Sequence, residues 1–191
     1  PETNFNYKIK IIDHSLKVPH VEVSGSVLVA HDRMLHNHTA KYPVRRTEVK
    51  AISIASGSSN LNELLFQDQI PSRIILGLVN AQAYTGSTNL NPLNCKNYSL
   101  NFLNVIANGQ SCSGFPLQLD FSNVSHFKYV EPYLNLFKAA GKWGTDSGNN
   151  IQFSDYNGGY SIFVVDVDPT LNSSGVNTSL RPERKGMVRL E

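Results

Sequence analysis

Short β-patterned runs separated by turn signals dominate the hydrophobic pattern of this chain. Phe5 to Ile11 alternates apolar and polar residues at period two, which predicts a strand with one apolar face. Further strands are predicted, from β-branched or apolar content, at Val44 to Ile54, Arg73 to Val79, Tyr98 to Ala107, Tyr160 to Val167 and Gly186 to Glu191. The pattern therefore indicates a protein built mainly of short strands.

The Asn108-Gly109 dipeptide is the strongest hairpin signal in the sequence. A two-residue type I′ turn requires positive φ at both central residues, which Asn and Gly tolerate. Leu117 to Phe121 alternates cleanly after this dipeptide, so we predict that it forms a hairpin with Tyr98 to Ala107. The near-continuous apolar run from Arg73 to Val79 predicts a strand covered on both faces.

Two segments have helical periodicity. Apolar residues from Val27 to Leu35 recur at helical spacing after Ser24, which is a suitable N-cap. Val130 to Phe137 has the same spacing, with Pro132 tolerable in the first turn. Two short helices among about eight strands, without βα alternation, predict an all-β protein: an antiparallel β-sandwich, of which the jelly roll is one form.

The apolar faces of these elements define an expected hydrophobic core. Its predicted members are Ile9, Ile11, Ile52, Ile75, Leu76, Leu78, Leu100, Phe102, Leu117, Leu119, Phe121, Leu134, Phe137, Ile162 and Val164.

The charge balance argues against binding to nucleic acid or membrane over a whole surface. Seventeen Lys and Arg against 15 Asp and Glu leave a net charge of only +2, so any nucleic-acid contact should be local and electrostatic. No apolar run is long enough to predict a membrane span. Two basic clusters consist of Lys41, Arg45, Arg46 and Lys50, and of Arg181, Arg184, Lys185 and Arg189. Because Glu48 and Glu183 lie among these basic residues, we interpret each cluster as part of a solvated face or as a source of ion pairs at a subunit interface.

The candidate metal ligands and carboxylate pairs are better explained by structural roles than by metal binding or catalysis. His31, His36 and His38 fall within eight residues, but no Cys or carboxylate lies nearby at ligand spacing. Asp166 and Asp168, with Asp146 and Asp155 upstream, resemble a carboxylate or calcium set. Asp168 precedes a proline, however, and is better explained by a strand that ends in a turn.

Catalytic motifs are missing from the sequence. Cys95 and Cys112 have no metal-binding spacing and are expected to be free thiols in a reducing compartment. No nucleophile elbow, phosphate-binding glycine loop or zinc-protease motif is present. The sequence thus predicts a protein that is not an enzyme, with no catalytic, cofactor-binding or metal-binding residues and no cofactor.

Five glycosylation sequons lie at Asn37, Asn97, Asn123, Asn172 and Asn177. They motivate an alternative function, a secreted β-sandwich that binds carbohydrate or a cell surface. A β-sandwich enzyme is a further alternative.

Three stretches in order resemble a known family. They are AKYPVRRTEVK from Ala40, IPSRIILGLV from Ile70 and NPLN from Asn91. They resemble the major capsid (hexon-like, double jelly-roll) protein of Maverick/Polinton elements and adintoviruses, which also occurs in animal genomes as uncharacterised reading frames. The likeness continues, with spacing kept, through Tyr98 to Leu103, Pro116 to Phe121, Tyr133 to Lys142 and Gly159 to Pro169.

This resemblance implies a virion structural protein, a subunit of a trimeric hexon-like capsomer that builds an icosahedral capsid. Members of the family have two jelly rolls and about twice this length. By analogy, residues 1–23 would be the last strand of a first jelly roll and its exit, residues 24–38 a helical linker, and residues 39–191 a second jelly roll lacking its final strand.

The implied partners are other copies of the chain in a homotrimer, neighbouring capsomers and minor capsid proteins, with no small-molecule substrate. The implied location is the virion, after assembly inside the host cell. Because a jelly roll lacking one strand has an open sheet edge, we expect Phe5 to Ile11, a strand from another chain or a longer chain to cover the edge beside Met187 to Leu190.

Overall fold

A computed structural model of the chain describes residues 9–40, 42, 44, 46–114, 116–122, 128–168 and 184–191. Its helices are α1, Gly25–Asn37; α2, Ala81–Thr85; α3, Val130–Ala139; and α4, Phe153–Gly158. Its strands are β1, Glu63–Phe66; β2, Arg73–Gly77; β3, Phe102–Leu103; β4, Val105–Ala107; β5, Gln110–Ser111; β6, Leu117–Gln118; β7, Ile162–Asp166; and β8, Val188–Leu190. The predicted class, antiparallel sheets with few short helices, is confirmed.

The chain divides into two units, Pro1–Arg46 and Thr47–Glu191, and the described strands all lie in the second. In the first unit α1 confirms the helix predicted after Ser24. None of the side chains of α1 is buried.

The strands pair in a nested order. The first strand, β1, pairs with the last, β8, and β2 pairs with β7. Inside these, β3 pairs with β6 and β4 with β5, and all four pairings are antiparallel. A further pairing of β4 with β8 joins two of these pairs into a four-stranded sheet of order β1-β8-β4-β5. The second unit is thus one long antiparallel hairpin of eight described strands, folded so that β8 is enclosed.

The position of β8 corrects the expectation of an open edge beside Met187 to Leu190. Leu190 pairs with Glu63 on one side and with Val105 on the other, so β8 has a partner along both edges. Most of the Phe5 to Ile11 segment lies outside the described residues, and its described part, residues 9–11, joins no strand.

The Asn108-Gly109 turn has the predicted backbone. Its φ angles are 50° at Asn108 and 82° at Gly109, which confirms a turn with positive φ at both central residues. The turn joins β4 to β5, and the next pair outward is β3 with β6. Leu117 and Gln118 of β6 pair antiparallel with Leu103 and Phe102, which confirms for these residues the predicted pairing of Leu117 to Phe121 with Tyr98 to Ala107.

Gly109→Val should destabilise the chain by about 1–2 kcal/mol, because a β-branched residue at this left-handed position is strained. A Cβ added at Gly109 meets no atom within 4 Å, so the loss would come from the backbone alone. Gly109→Asn, which tolerates positive φ, is the matched control. The free energy of unfolding in urea measures both variants, and equal losses would contradict this explanation.

The β-branched segment Val44 to Ile54 is not a strand in the structure. Its described residues, 44 and 46–54, adopt no regular structure and are exposed, so this prediction is wrong. Strand propensity alone does not form a strand without a hydrogen-bonding partner. The strands predicted around β2, β7 and β8 are confirmed, as is α3 with Pro132 in its first turn.

The core lies between the sheets, α3 and α4. Of the predicted members, Leu117, Leu119, Phe121 and Val164 are buried. Six others are partly buried: Leu76, Leu78, Leu100, Leu134, Phe137 and Ile162. The prediction is wrong for the exposed Ile9, Ile11, Ile52, Ile75 and Phe102. In β2, Ile74 is buried but Ile75 is 65% exposed, because alternate side chains of a strand point to opposite faces and only one face of β2 is covered.

Aromatic rings form the centre of this core. Phe121 stacks on Tyr129 with ring centroids 5.1 Å apart and meets Phe163 edge-on at 6.3 Å. Tyr156, which is fully buried, lies 6.3 Å from Phe163 and 5.5 Å from Tyr133. These offset and edge-on geometries are the favourable ones for aromatic pairs.

Candidate interaction surfaces

The histidines singled out in the sequence lie on or just after α1. Nε2 of His36 is 3.8 Å from Oδ2 of Asp32, one helical turn earlier, and both side chains are more than three-quarters exposed. In the part of the chain that the structure describes, no three His, Cys, Asp or Glu side chains come together to hold a metal ion. The histidine cluster therefore provides no preformed metal site among these residues.

The aspartates have local structural roles. Asp166 ends β7, and its Oδ1 accepts a hydrogen bond from Nε of Arg73, its register partner in β2, at 3.2 Å. Asp168 is buried, and its backbone N–H donates to the carbonyl of Ser72 at 3.2 Å. Asp155 lies in the first turn of α4. The structure thus uses Asp166 to tie the ends of β2 and β7 together.

The two cysteines are free thiols and partly buried. Burial raises the pKa of Cys95 and of Cys112 above the ordinary value for a thiol, which disfavours the nucleophilic thiolate. The side chain of Cys95 packs against Gly77, where an added Cβ would lie 2.8 Å from the sulfur. Cys95 therefore fills the space beside the end of β2.

The described members of the basic clusters are divided between local contacts and solvent. Nζ of Lys50 lies 3.2 Å from Oε1 of Glu48, and Nη2 of Arg184 donates to the carbonyl of Val167 at 2.9 Å. Lys185 and Arg189 are exposed. Lys41, Arg45 and Arg181 lie outside the described residues. The ion pair of Lys50 agrees with the interpretation of a mixed, solvated face.

A shallow depression of about 400 Å³ lies between β6 and α3. It is lined by Gln118, Lys128, Val130, Glu131, Leu134 and Lys138. All of these except the half-buried Leu134 are exposed, and the charges are of both signs. Such a surface lacks the enclosed apolar walls and convergent polar groups of a small-molecule site.

Large apolar side chains are exposed at several separate places in the second unit. The most exposed are Val49, Ile75, Tyr84, Leu93, Tyr98, Trp143, Tyr160 and Met187, each more than half accessible. Exposed aromatic residues are enriched where proteins contact other macromolecules. These side chains, rather than a pocket, are the candidate functional groups.

An asparagine pair, which the sequence does not reveal, holds one of these aromatics in place. Nδ2 of Asn97 donates to the carbonyl and to Oδ1 of Asn157, at 2.8 and 2.9 Å. Oδ1 of Asn97 accepts from the backbone N–H of Ser99 at 2.9 Å. The turn from Asn97 to Ser99 places Tyr98 at φ 45°, an uncommon conformation for a bulky residue. The two asparagines thus fix a strained turn that presents the half-exposed ring of Tyr98.

This geometry also bears on the sequons. The Nδ2 atom of Asn97, which would carry a glycan, is already engaged by Asn157 in two hydrogen bonds. Asn37, at the end of α1, is exposed. The sequons at Asn123, Asn172 and Asn177 lie outside the described residues.

None of the helices among the described residues is both long enough and apolar enough to cross a membrane.

Comparisons with known proteins identify a similar worm protein. No family model matches the chain, and no solved structure matches it. "Uncharacterized protein F54H12.2" of Caenorhabditis elegans is 30% identical over 146 residues, which are 75% of this chain and 34% of the worm protein. The chain therefore spans about a third of the length of the curated relative that it matches.

Proposed function

We propose that this chain is a virion structural protein, part of the jelly-roll subunit of a trimeric hexon-like capsomer. The observation that carries the proposal is the nested pairing of β1 with β8, β2 with β7, β3 with β6 and β4 with β5. In a jelly roll, eight antiparallel strands form one long hairpin that folds over into two facing sheets. The nested order of these four pairings supports the proposal.

The surface of the second unit is compatible with assembly. Its exposed apolar side chains are spread over several loops and over β2, as subunit contacts on more than one side would require. Its polar side chains are engaged in structural bonds such as those of Asn97 and Asp166. A capsomer needs contact faces and ordered loops, which these features supply.

The ordered stretches from Ala40, Ile70 and Asn91 support the same proposal through their resemblance to the Maverick/Polinton capsid proteins. The worm relative is more than twice as long as this chain, which leaves room for a further domain of similar size. A double jelly roll would have that organisation. The gene sequence on either side of the region that encodes this chain tests the double jelly-roll organisation. Flanking sequence without an upstream jelly-roll pattern would contradict that organisation.

The purified chain should form trimers or larger assemblies. Light scattering coupled to size-exclusion chromatography measures the mass of the species, and electron microscopy shows whether it is threefold. Ile75→Asp changes a side chain that is 65% exposed, so it tests a surface contact without disturbing the core. A well-folded species that stays strictly monomeric at high protein concentration would contradict the capsid proposal.

The alternative, a secreted β-sandwich that binds carbohydrate or a cell surface, is supported by the exposed sequon at Asn37. Mass spectrometry of native material decides between the two functions. Glycans found on Asn37 or Asn97 would favour the secreted protein.

A further inference from the structure

The outer edge of β1 is open in the described part of the chain. The four-stranded sheet begins at β1, which pairs there only with β8. On this strand the carbonyl of Leu65 accepts a hydrogen bond from Nζ of Lys50 at 2.5 Å. An open edge with unpaired backbone groups is a template for another strand.

The segment that supplies Lys50 has the composition of a strand. Residues 47–54, here named the strap, are TEVKAISI. Val49, Ile52 and Ile54 are 89%, 38% and 47% exposed, and the segment joins no strand. β-Branched residues favour extended structure, but they need a partner to form it.

A tight turn brings the strap back towards β1. The N–H of Ser58 donates to the carbonyl of Ala55 at 3.0 Å, which closes a four-residue turn. Further along, the Lys50 ammonium contacts Leu65 and lies 4.6 Å from the centroid of the Phe66 ring. Contacts of 55 with 58 and of 50 with 65 and 66 have the order of an antiparallel hairpin.

The turn itself explains why no ladder has formed. Gly57 has φ 83°, whereas Ser56 is not among the residues with positive φ. This pattern of signs is that of a type II turn, which splays the two strands of a short hairpin. The Asn108-Gly109 turn, with positive φ at both positions, is followed by paired strands in the same protein.

We propose that the strap is a closing strand for the open edge of β1. In the closed form Ser56-Gly57 becomes a turn with two positive φ angles, residues 51–54 pair with residues 59–62, and residues 47–50 pair with the outer edge of β1. Closure shields the apolar side chains of the strap and the backbone groups of the edge together. The open form presents both to other copies of the chain, so the strap controls access to this edge. This inference concerns β1 alone and stands whether or not the chain builds capsids.

Two substitutions at the exposed Ser56 test the strap in opposite directions. Ser56→Asn creates an Asn-Gly pair that favours the closed turn, as at Asn108-Gly109. Ser56→Pro fixes a negative φ at this position and holds the turn open. Amide hydrogen exchange, followed by NMR on the full chain, should be slower by about tenfold or more at alternate residues of 47–54 in Ser56→Asn than in Ser56→Pro.

The amides of β7 serve as the internal control, since their exchange should be the same in both variants if the fold is intact. Equal exchange at residues 47–54 in the two variants, with β7 unchanged, would overturn the proposal. Protection of the strap that appears only as protein concentration rises would also overturn it, because the strap would then pair between copies. Neither result depends on whether the chain forms trimers.

Discussion

Tyr156→Ala should lower the free energy of unfolding by about 3–5 kcal/mol, the range for removing a large aromatic side chain from a core. Tyr156 is fully buried, and its ring meets those of Phe121, Tyr133 and Phe163. Its hydroxyl donates to the carbonyl of Ile162 at 3.0 Å. The side chain thus connects α4, α3 and β7, and its loss would leave a cavity at their junction.

Two control variants separate the contributions of Tyr156. Tyr156→Phe removes only the hydroxyl and leaves the Ile162 carbonyl without this donor, so it should cost about 1 kcal/mol. Tyr160→Ala removes a tyrosine that is 55% exposed and should change stability by less than about 0.5 kcal/mol. Denaturation in urea, followed by circular dichroism, measures all three. A loss below about 1 kcal/mol for Tyr156→Ala would mean that the ring cluster is not the centre of the core.

The ionisation of Tyr156 follows from the same burial. Burial raises the pKa of Tyr156 far above the ordinary value for a phenol, because the charged phenolate would lose its water of solvation. The hydroxyl therefore stays protonated through neutral and moderately alkaline pH, where it donates a hydrogen bond to the carbonyl of Ile162.

Where the fold is set by neighbouring residues, the sequence predicted it well. The Asn108-Gly109 turn needs only two residues that tolerate positive φ, and both have it. Leu117, Leu119 and Phe121 are buried while Gln118 between them is exposed, so the alternation was a true sign of one covered face. The helix at Val130–Ala139 follows from the same kind of local spacing.

Features set by distant residues could not be predicted in this way. The apolar run in β2 gave no sign of which face is covered, and Ile75 is on the uncovered one. The β-branched strap looked like a strand, but a strand also needs a partner on the β1 edge. Tyr156 lies in the polar stretch SDYNG, and only packing from α3 and β7 makes it the most buried aromatic residue.

The candidate interaction surfaces show the same division. The hydrogen bonds that hold the Tyr98 turn join Asn97 to Asn157, which lie 60 positions apart in the chain. Nothing in the sequence near either asparagine indicates this pairing. An isolated parallel β-bridge between the backbones of Cys95 and Tyr160 brings together the two loops that carry Asn97 and Asn157.

Leu119→Ala should cost about 2–5 kcal/mol, because Leu119 is 5% exposed and large-to-small changes in a core lose burial and leave a cavity. Ile75→Ala is the matched control: it removes an aliphatic side chain of the same size from a site that is 65% exposed. In the monomer it should change the unfolding free energy by less than about 0.5 kcal/mol. Urea denaturation at low protein concentration measures both.

The same pair of variants also bears on assembly. If the face of β2 that carries Ile75 becomes covered by another subunit, the cost of Ile75→Ala should grow as protein concentration rises, because the folded assembly then gains stability by mass action. The cost of Leu119→Ala should not change in this way, since Leu119 is already buried within one chain. A loss under about 0.5 kcal/mol for Leu119→Ala would show that the assignment of Leu117, Leu119 and Phe121 to one buried face is wrong. An Ile75→Ala effect independent of concentration would place the subunit contacts elsewhere on the chain.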